Sequence, residues 1–140
     1  MRGRFQAPIS AWIAALGLAI LTLTVFGLSM DRGPSAIVRE LHEAVNRDDR
    51  EAAYQLFQAT GDANAAIAII NDLRVYSQAG ARVSVVNIRT RGNLGIVDVV
   101  YESPVYGVSA FRFALIRGEG DWKINAAESW SLTRKLRALP

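Results

Sequence analysis

The chain has 140 residues with 16 Lys and Arg, 13 Asp and Glu, one histidine and no cysteine. The absence of cysteine excludes disulfides, thiolate metal sites, a Cys nucleophile and a lipid-modified N-terminal Cys. The positive excess lies at the two ends, in Arg2 and Arg4 and in Arg134, Lys135 and Arg137, which leaves eleven basic against thirteen acidic residues between Asp31 and Trp130; nucleic-acid binders concentrate charge on the folded surface, so nucleic acid is excluded as a partner.

Taken in chain order, the first element is hydrophobic. No residue from Phe5 to Met30 is charged, and residues 9–30 are almost wholly apolar. About 20 helical residues cross a hydrocarbon core of roughly 30 Å, so this stretch is expected to be a transmembrane anchor in contact with membrane lipid. Arg2 and Arg4 outweigh the mixed pair Asp31 and Arg32, which keeps residues 1–8 in the cytoplasm and the rest of the chain outside it. Gly27-Leu28-Ser29 leaves a second reading open, a signal peptide cleaved to release a secreted domain. The apolar run exceeds the roughly 7 to 15 residues of an ordinary signal core.

Residues 31–33 form a linker, and Pro34 suits the first position of a helix. Ile37, Val38, Leu41 and Val45 recur at spacings of three and four, predicting a helix from about Pro34 to Asn46. Asp48 and Glu51 have the spacing of a capping box, and Ala52, Ala53, Leu56 and Phe57 predict a second helix that ends near Thr60-Gly61. A third, Ala63 to about Tyr76, is expected to turn Ala66, Ile67, Ile70 and Leu73 to the core.

From Ala81 the period changes to two and β-branched residues dominate. Strands are predicted at Arg82 to Arg91, Leu94 to Glu102, Val105 to Arg117 and Trp122 to Trp130, with turns at Gly92-Asn93 and Gly118 to Asp121. Phe111, Phe113 and Leu115 share one face of the third strand, with Arg112 opposed. Short connections favour an antiparallel meander. The fold class is therefore α+β, with helices packed on a curved antiparallel sheet of about four strands. Residues 131–140 read as a basic tail, either a solvated terminus or a short helix against lipid headgroups or a partner.

The opening pair VRELHEAVNRDDREAAYQLF and the terminal stretch FRFALIRGEGDWKINAAESW resemble the nuclear transport factor 2-like superfamily, the ketosteroid isomerase or cystatin-like cone fold. The resemblance spans residues 34–130. It implies a conical pocket between helices and sheet, in which enzymatic members hold a Tyr or Asp donor and a carboxylate base of raised pKa. The residues considered for that pocket are Tyr54, Asp98, Tyr101, Phe111, Phe113, Glu128 and Trp130, and no convincing catalytic set emerges. Tyr54 reads as a core tyrosine, Asp98 is buried only if its face of the second strand is inward, and Glu128 reads as a strand-end carboxylate. His42 is expected at a surface or boundary position, and Tyr101 to Tyr106 offer a possible exposed binding edge.

No Asp/Glu spacing resembles a calcium loop, and neither a phosphate-binding glycine loop nor a serine nucleophile elbow is present. No metal or cofactor is expected. Membrane-anchored members of the superfamily include assembly subunits of secretion and conjugation machines, which this chain resembles in layout, and members often dimerise through the outer sheet face. The expected function is thus a membrane-tethered, extracytoplasmic, non-enzymatic binding or assembly module at a bacterial envelope, with a partner protein or small ligand and a homodimer. The alternative is a small-molecule enzyme or apolar-ligand carrier that uses the cone.

Overall fold

The computed structural model describes residues 32–140. The expected anchor at 9–30 and the N-terminal segment 1–8 lie outside the described residues. Among the described residues no helix is long and apolar enough to cross a membrane.

Three helices come first: α1 (Pro34–Asn46), α2 (Arg50–Gln55) and α3 (Ala63–Gln78). The stripe expected on α1 is buried as Ile37, Val38, Leu41 and Val45. The hinge that follows differs from the expected capping box. Asp48 occupies the left-handed region at φ 56, and the amides of Asp48 and Asp49 return to Val45 O and Ala44 O, the double bond of a Schellman end. Asp49, not Asp48, then caps α2 by accepting from Ala52 N. One dipeptide thus stops one helix and starts the next. The helix α2 is only six residues long, because Leu56 closes it as a helical C-cap and Phe57 then bridges to Ile124 of the sheet. On α3 the buried face is Ala65, Ala66, Ile69, Ile70 and Leu73, whereas Ile67, expected inside, is half exposed.

The sheet is an antiparallel meander in the order β1 (Arg82–Arg91), β2 (Leu94–Ser103), β3 (Gly107–Arg117), β4 (Trp122–Ile124). Its inner face packs Val97, Val99, Tyr101, Phe111, Phe113 and Leu115 against α1 and α3. Burying such aliphatic and aromatic side chains contributes about 1.5–3 kcal/mol each. Gly95 permits a close approach of helix to sheet: a Cβ there would lie 3.1 Å from Pro34 Cβ and 3.2 Å from Trp122 Cζ3.

The expected last strand, Trp122 to Trp130, stops at Ile124. A helix, α4 (Ala126–Arg137), replaces its second half and absorbs most of the expected basic tail, crossing the boundary drawn at 130/131. Asn125 is the reason: its side chain accepts from Glu128 N at 3.1 Å, and Asn-Ala-Ala-Glu has the spacing of a capping box. Glu128 in the first turn and Arg134, Lys135 and Arg137 in the last both suit the helix dipole.

This helix lies along the open side of β3. Ser129 Oγ donates to Ala114 O and accepts from Ala114 N, and Thr133 Oγ1 does the same for Arg112. Arg137 Nε donates to Ala110 O. Four helical residues rise about 6 Å and two strand residues about 6.6–6.8 Å, so a step of four on α4 keeps pace with a step of two on β3. Side chains thus continue the ladder that β4 begins.

Candidate functional site

The inner face of the sheet places Tyr101 beneath α1, one turn of which carries His42. His42 Nδ1 lies 2.6 Å from Val38 O and Nε2 lies 2.6 Å from Tyr101 Oη. A carbonyl can only accept, so Nδ1 holds the proton and the Nε2 lone pair receives the phenol hydrogen. Burial favours this neutral ring and pushes the imidazole pKa below its ordinary value, against the smaller effect of the Val38 carbonyl. Burial likewise raises the Tyr101 phenol well above its usual range, with Asp72 adding to the effect. The pair is mutually satisfied and uncharged.

Around it runs a row of rings. Tyr76 stacks on Tyr101 with centroids 5.1 Å apart, Phe113 meets His42 edge-on at 6.0 Å, and Phe111 stacks on Phe113 at 4.4 Å. Trp130 flanks Phe111 at 6.3 Å. The guanidinium of Arg137, held by Asp72 at 2.9 Å, lies over both Tyr76 and Phe111. The space between helices and sheet, where a conical pocket was expected, is therefore largely occupied by aromatic side chains. A cavity of about 320 Å³ stays open at one end, lined by His42, Asn46, Leu73, Ser77, Val83 and Tyr101. Ser77 Oγ donates to Asn46 Oδ1 there.

The seven residues singled out from sequence fall in four separate places. Tyr101, Phe111, Phe113 and Trp130 belong to the aromatic row. Asp98 is on the opposite face of the sheet, 13% exposed, and accepts from Arg112 Nε at 2.6 Å and Nη2 at 3.0 Å. Arg112 holds its carboxyl below the usual range despite partial burial, and Asn87 and Arg89 assist. Glu128 is exposed on α4 beside an open outer groove of about 620 Å³ that also touches Arg91, Leu94, Ile96 and Leu132. Tyr54, read as a core residue, is 44% exposed and lines a shallow groove between α2 and α3 with Ile67 and Ile70. Only part of the expected binding edge is open, for Tyr106 on the loop after β2 is exposed whereas Tyr101 and Ser103 at the end of β2 are buried. Ser103 Oγ accepts from both Val105 N and Tyr106 N.

Two functional-site candidates escaped the sequence reading in this form. His42, expected at the surface or a boundary, is half-buried, and its pairing with Tyr101 spans 59 residues and no local pattern encodes it. Ser77 and Asn46 likewise come from different helices. Among the described residues no group of three or more His, Asp or Glu could hold a metal ion.

No family model matches the sequence, and no curated protein matches it. Among solved structures the chain is similar to a nuclear transport factor 2-like protein of unknown function from Cytophaga hutchinsonii, at 13% identity and a TM-score of 0.43 over 68% of this chain and 88% of that one.

Proposed function

We propose that the chain is a membrane-tethered binding or assembly module whose folded domain works outside the cytoplasm and performs no chemistry of its own. One observation carries the non-enzymatic part: Phe111, Phe113 and Trp130 pack together in the space between helices and sheet, and Asp98 lies on the opposite face in an ion pair with Arg112. A general base needs a lone pair or carboxylate facing substrate. His42 spends both nitrogens on Val38 and Tyr101. The tether rests on the uncharged run 9–30 behind Arg2 and Arg4. A protein partner in the envelope and a homodimer through the outer sheet face complete the proposal.

The test is crosslinking of the full-length chain in intact membranes, followed by identification of what co-purifies. A recurrent protein partner is the expected result. Recovery of none, together with release of the chain from membranes by alkaline carbonate, would defeat both the module and its anchor.

The cavity beside His42 and Tyr101 favours a second reading, a carrier of a small polar ligand. On that reading His42→Phe would abolish ligand-induced thermal stabilisation. On the leading one it would leave partner crosslinking intact.

A further inference from the structure

The sheet ends in two edges of unlike character. On one side β4 is met by the segment 56–58, where Ile124 N donates to Leu56 O and Gln58 N donates to Ile124 O, and α4 covers β3 beyond it. On the other side β1 pairs with β2 alone, and every one of its ten residues is exposed, Val83, Val85, Val86 and Ile88 included. A long edge with open N–H and C=O groups and exposed β-branched side chains is a template for another strand. One bulge, at Val86, interrupts it.

Register with β2 sorts the side chains of β1 into two rows. Val83, Val85 and Ile88 pair with Tyr101, Val99 and Val97 and so continue the inner apolar face, while Arg82, Arg89 and Arg91 pair with Glu102, Ile96 and Leu94 on the outer face. The strand contains three arginines and no acidic residue. Arg89 lies 3.8 Å from Asp98, a carboxylate already engaged by Arg112. Arg82 and Arg91 have no ion-pair partner among the described residues.

Charge selects the occupant. If two copies paired antiparallel along the whole strand, Arg82 of each would oppose Arg91 of the other, and like charges directly opposite destabilise a strand pair. We propose that β1 is a docking strand for an extended segment of a different protein, in which acidic residues alternate with β-branched apolar ones. The acidic side chains meet Arg82, Arg89 and Arg91 on the outer face. The apolar ones extend the row of Val83, Val85 and Ile88, and main-chain hydrogen bonds supply affinity along the edge. This rests on the binding-module reading above, though not on the anchor.

The test uses the full-length chain in neutral detergent micelles and a fluorescent ten-residue peptide that alternates Glu and Val, read by anisotropy. Saturable binding is expected, weakened about tenfold or more by raising salt. N-methylation of alternate peptide amides, which keeps every side chain but removes donors, should abolish it. The pair Arg82→Glu and Arg91→Glu should weaken the Glu peptide about tenfold and admit its Lys counterpart.

Equal binding of the Lys peptide to the unaltered chain, or of the N-methylated one, overturns the proposal. So does dimerisation of the chain that the Glu peptide competes away, which would make a second copy the occupant. No peptide binding while membrane crosslinking still yields a partner removes the edge and leaves the module. Failure of both removes both.

Discussion

The β3–β4 edge and the β1 edge border the same four-stranded sheet and face opposite demands. Along the first, backbone groups find partners in Leu56, Gln58, Ser129, Thr133 and Arg137, contributed by two separate stretches of chain. Ser129 and Thr133 are fully buried in the process. Along the second, valines and arginines stand in the open. The difference teaches that an antiparallel sheet need not close on itself to be protected: one helix with hydroxyls four residues apart satisfies an edge strand as a neighbouring strand would. The remaining edge is then the place where this sheet can still accept hydrogen bonds from outside.

The strongest way to break the contrast is to unseal the closed edge. Ser129→Ala with Thr133→Val leaves the amides of Ala114 and Arg112 without partners, and each buried orphan costs about 1–3 kcal/mol. The double variant should lose about 3 kcal/mol in urea unfolding followed by tryptophan fluorescence. A loss under about 1 kcal/mol would mean that the helix seals the edge by packing alone.

A smaller effect is expected at the centre of the sheet, where Asp98 takes Arg112 of β3 and Arg89 of β1 and so ties both edges together. Asp98→Asn should cost about 1–2 kcal/mol at neutral pH, discounted for the partial exposure of the pair. The carboxyl is depressed in the folded state, so its contribution is present above the ordinary unfolded range near 3.9 and is lost as pH falls through the lowered folded value. Acid titration of stability should therefore be shallower in the Asn variant, and superimposable curves would refute the linkage.

His42 probes the inner face. Its folded pKa lies below the unfolded value near 6.5, so stability is full above that pH and is lost as pH falls through the folded value. Melting temperature measured from pH 7.5 to 5 should drop more steeply for the unaltered chain than for His42→Gln. Parallel slopes would show the ring to be indifferent to protonation.

The smallest change belongs to the open edge. Val86→Lys, at a residue 59% exposed, should alter stability by no more than about 0.5 kcal/mol and reduce light scattering on concentration. A loss above about 1 kcal/mol would mean that β1 is covered in solution.

Much of this architecture was legible along the chain. Pro34 and the stripe from Ile37 to Val45 set the first helix, and the alternation after Ala81 with the Gly92-Asn93 and Gly118 to Asp121 turns set the meander. The failures have definite causes. Trp122, Ile124, Ala126 and Trp130 alternate well enough to mimic a strand, and the alternation hid the cap that Asn125 and Glu128 make. Asp48 and Asp49 both look like caps, and backbone geometry assigns them opposite duties. Asp98 could be read into either face, since a period of two separates two rows of side chains without naming the one that meets the helices. The site was less legible than the fold: His42 and Tyr101 are brought together only when α1 lies across β2.

What the sequence determined by itself is whatever depends on neighbours in the chain: where the apolar run lies, where helices begin, where strands turn, and that no thiol chemistry is possible. Period, capping and turn preferences act over a few residues. The tertiary structure alone decided which sheet face became the core, how rings from α1, α3, β2, β3 and α4 fill the cone, and which of two sheet edges was sealed. Each of those outcomes requires groups tens of residues apart to meet, and a backbone amide on β3 carries no local mark of the hydroxyl on α4 that will satisfy it.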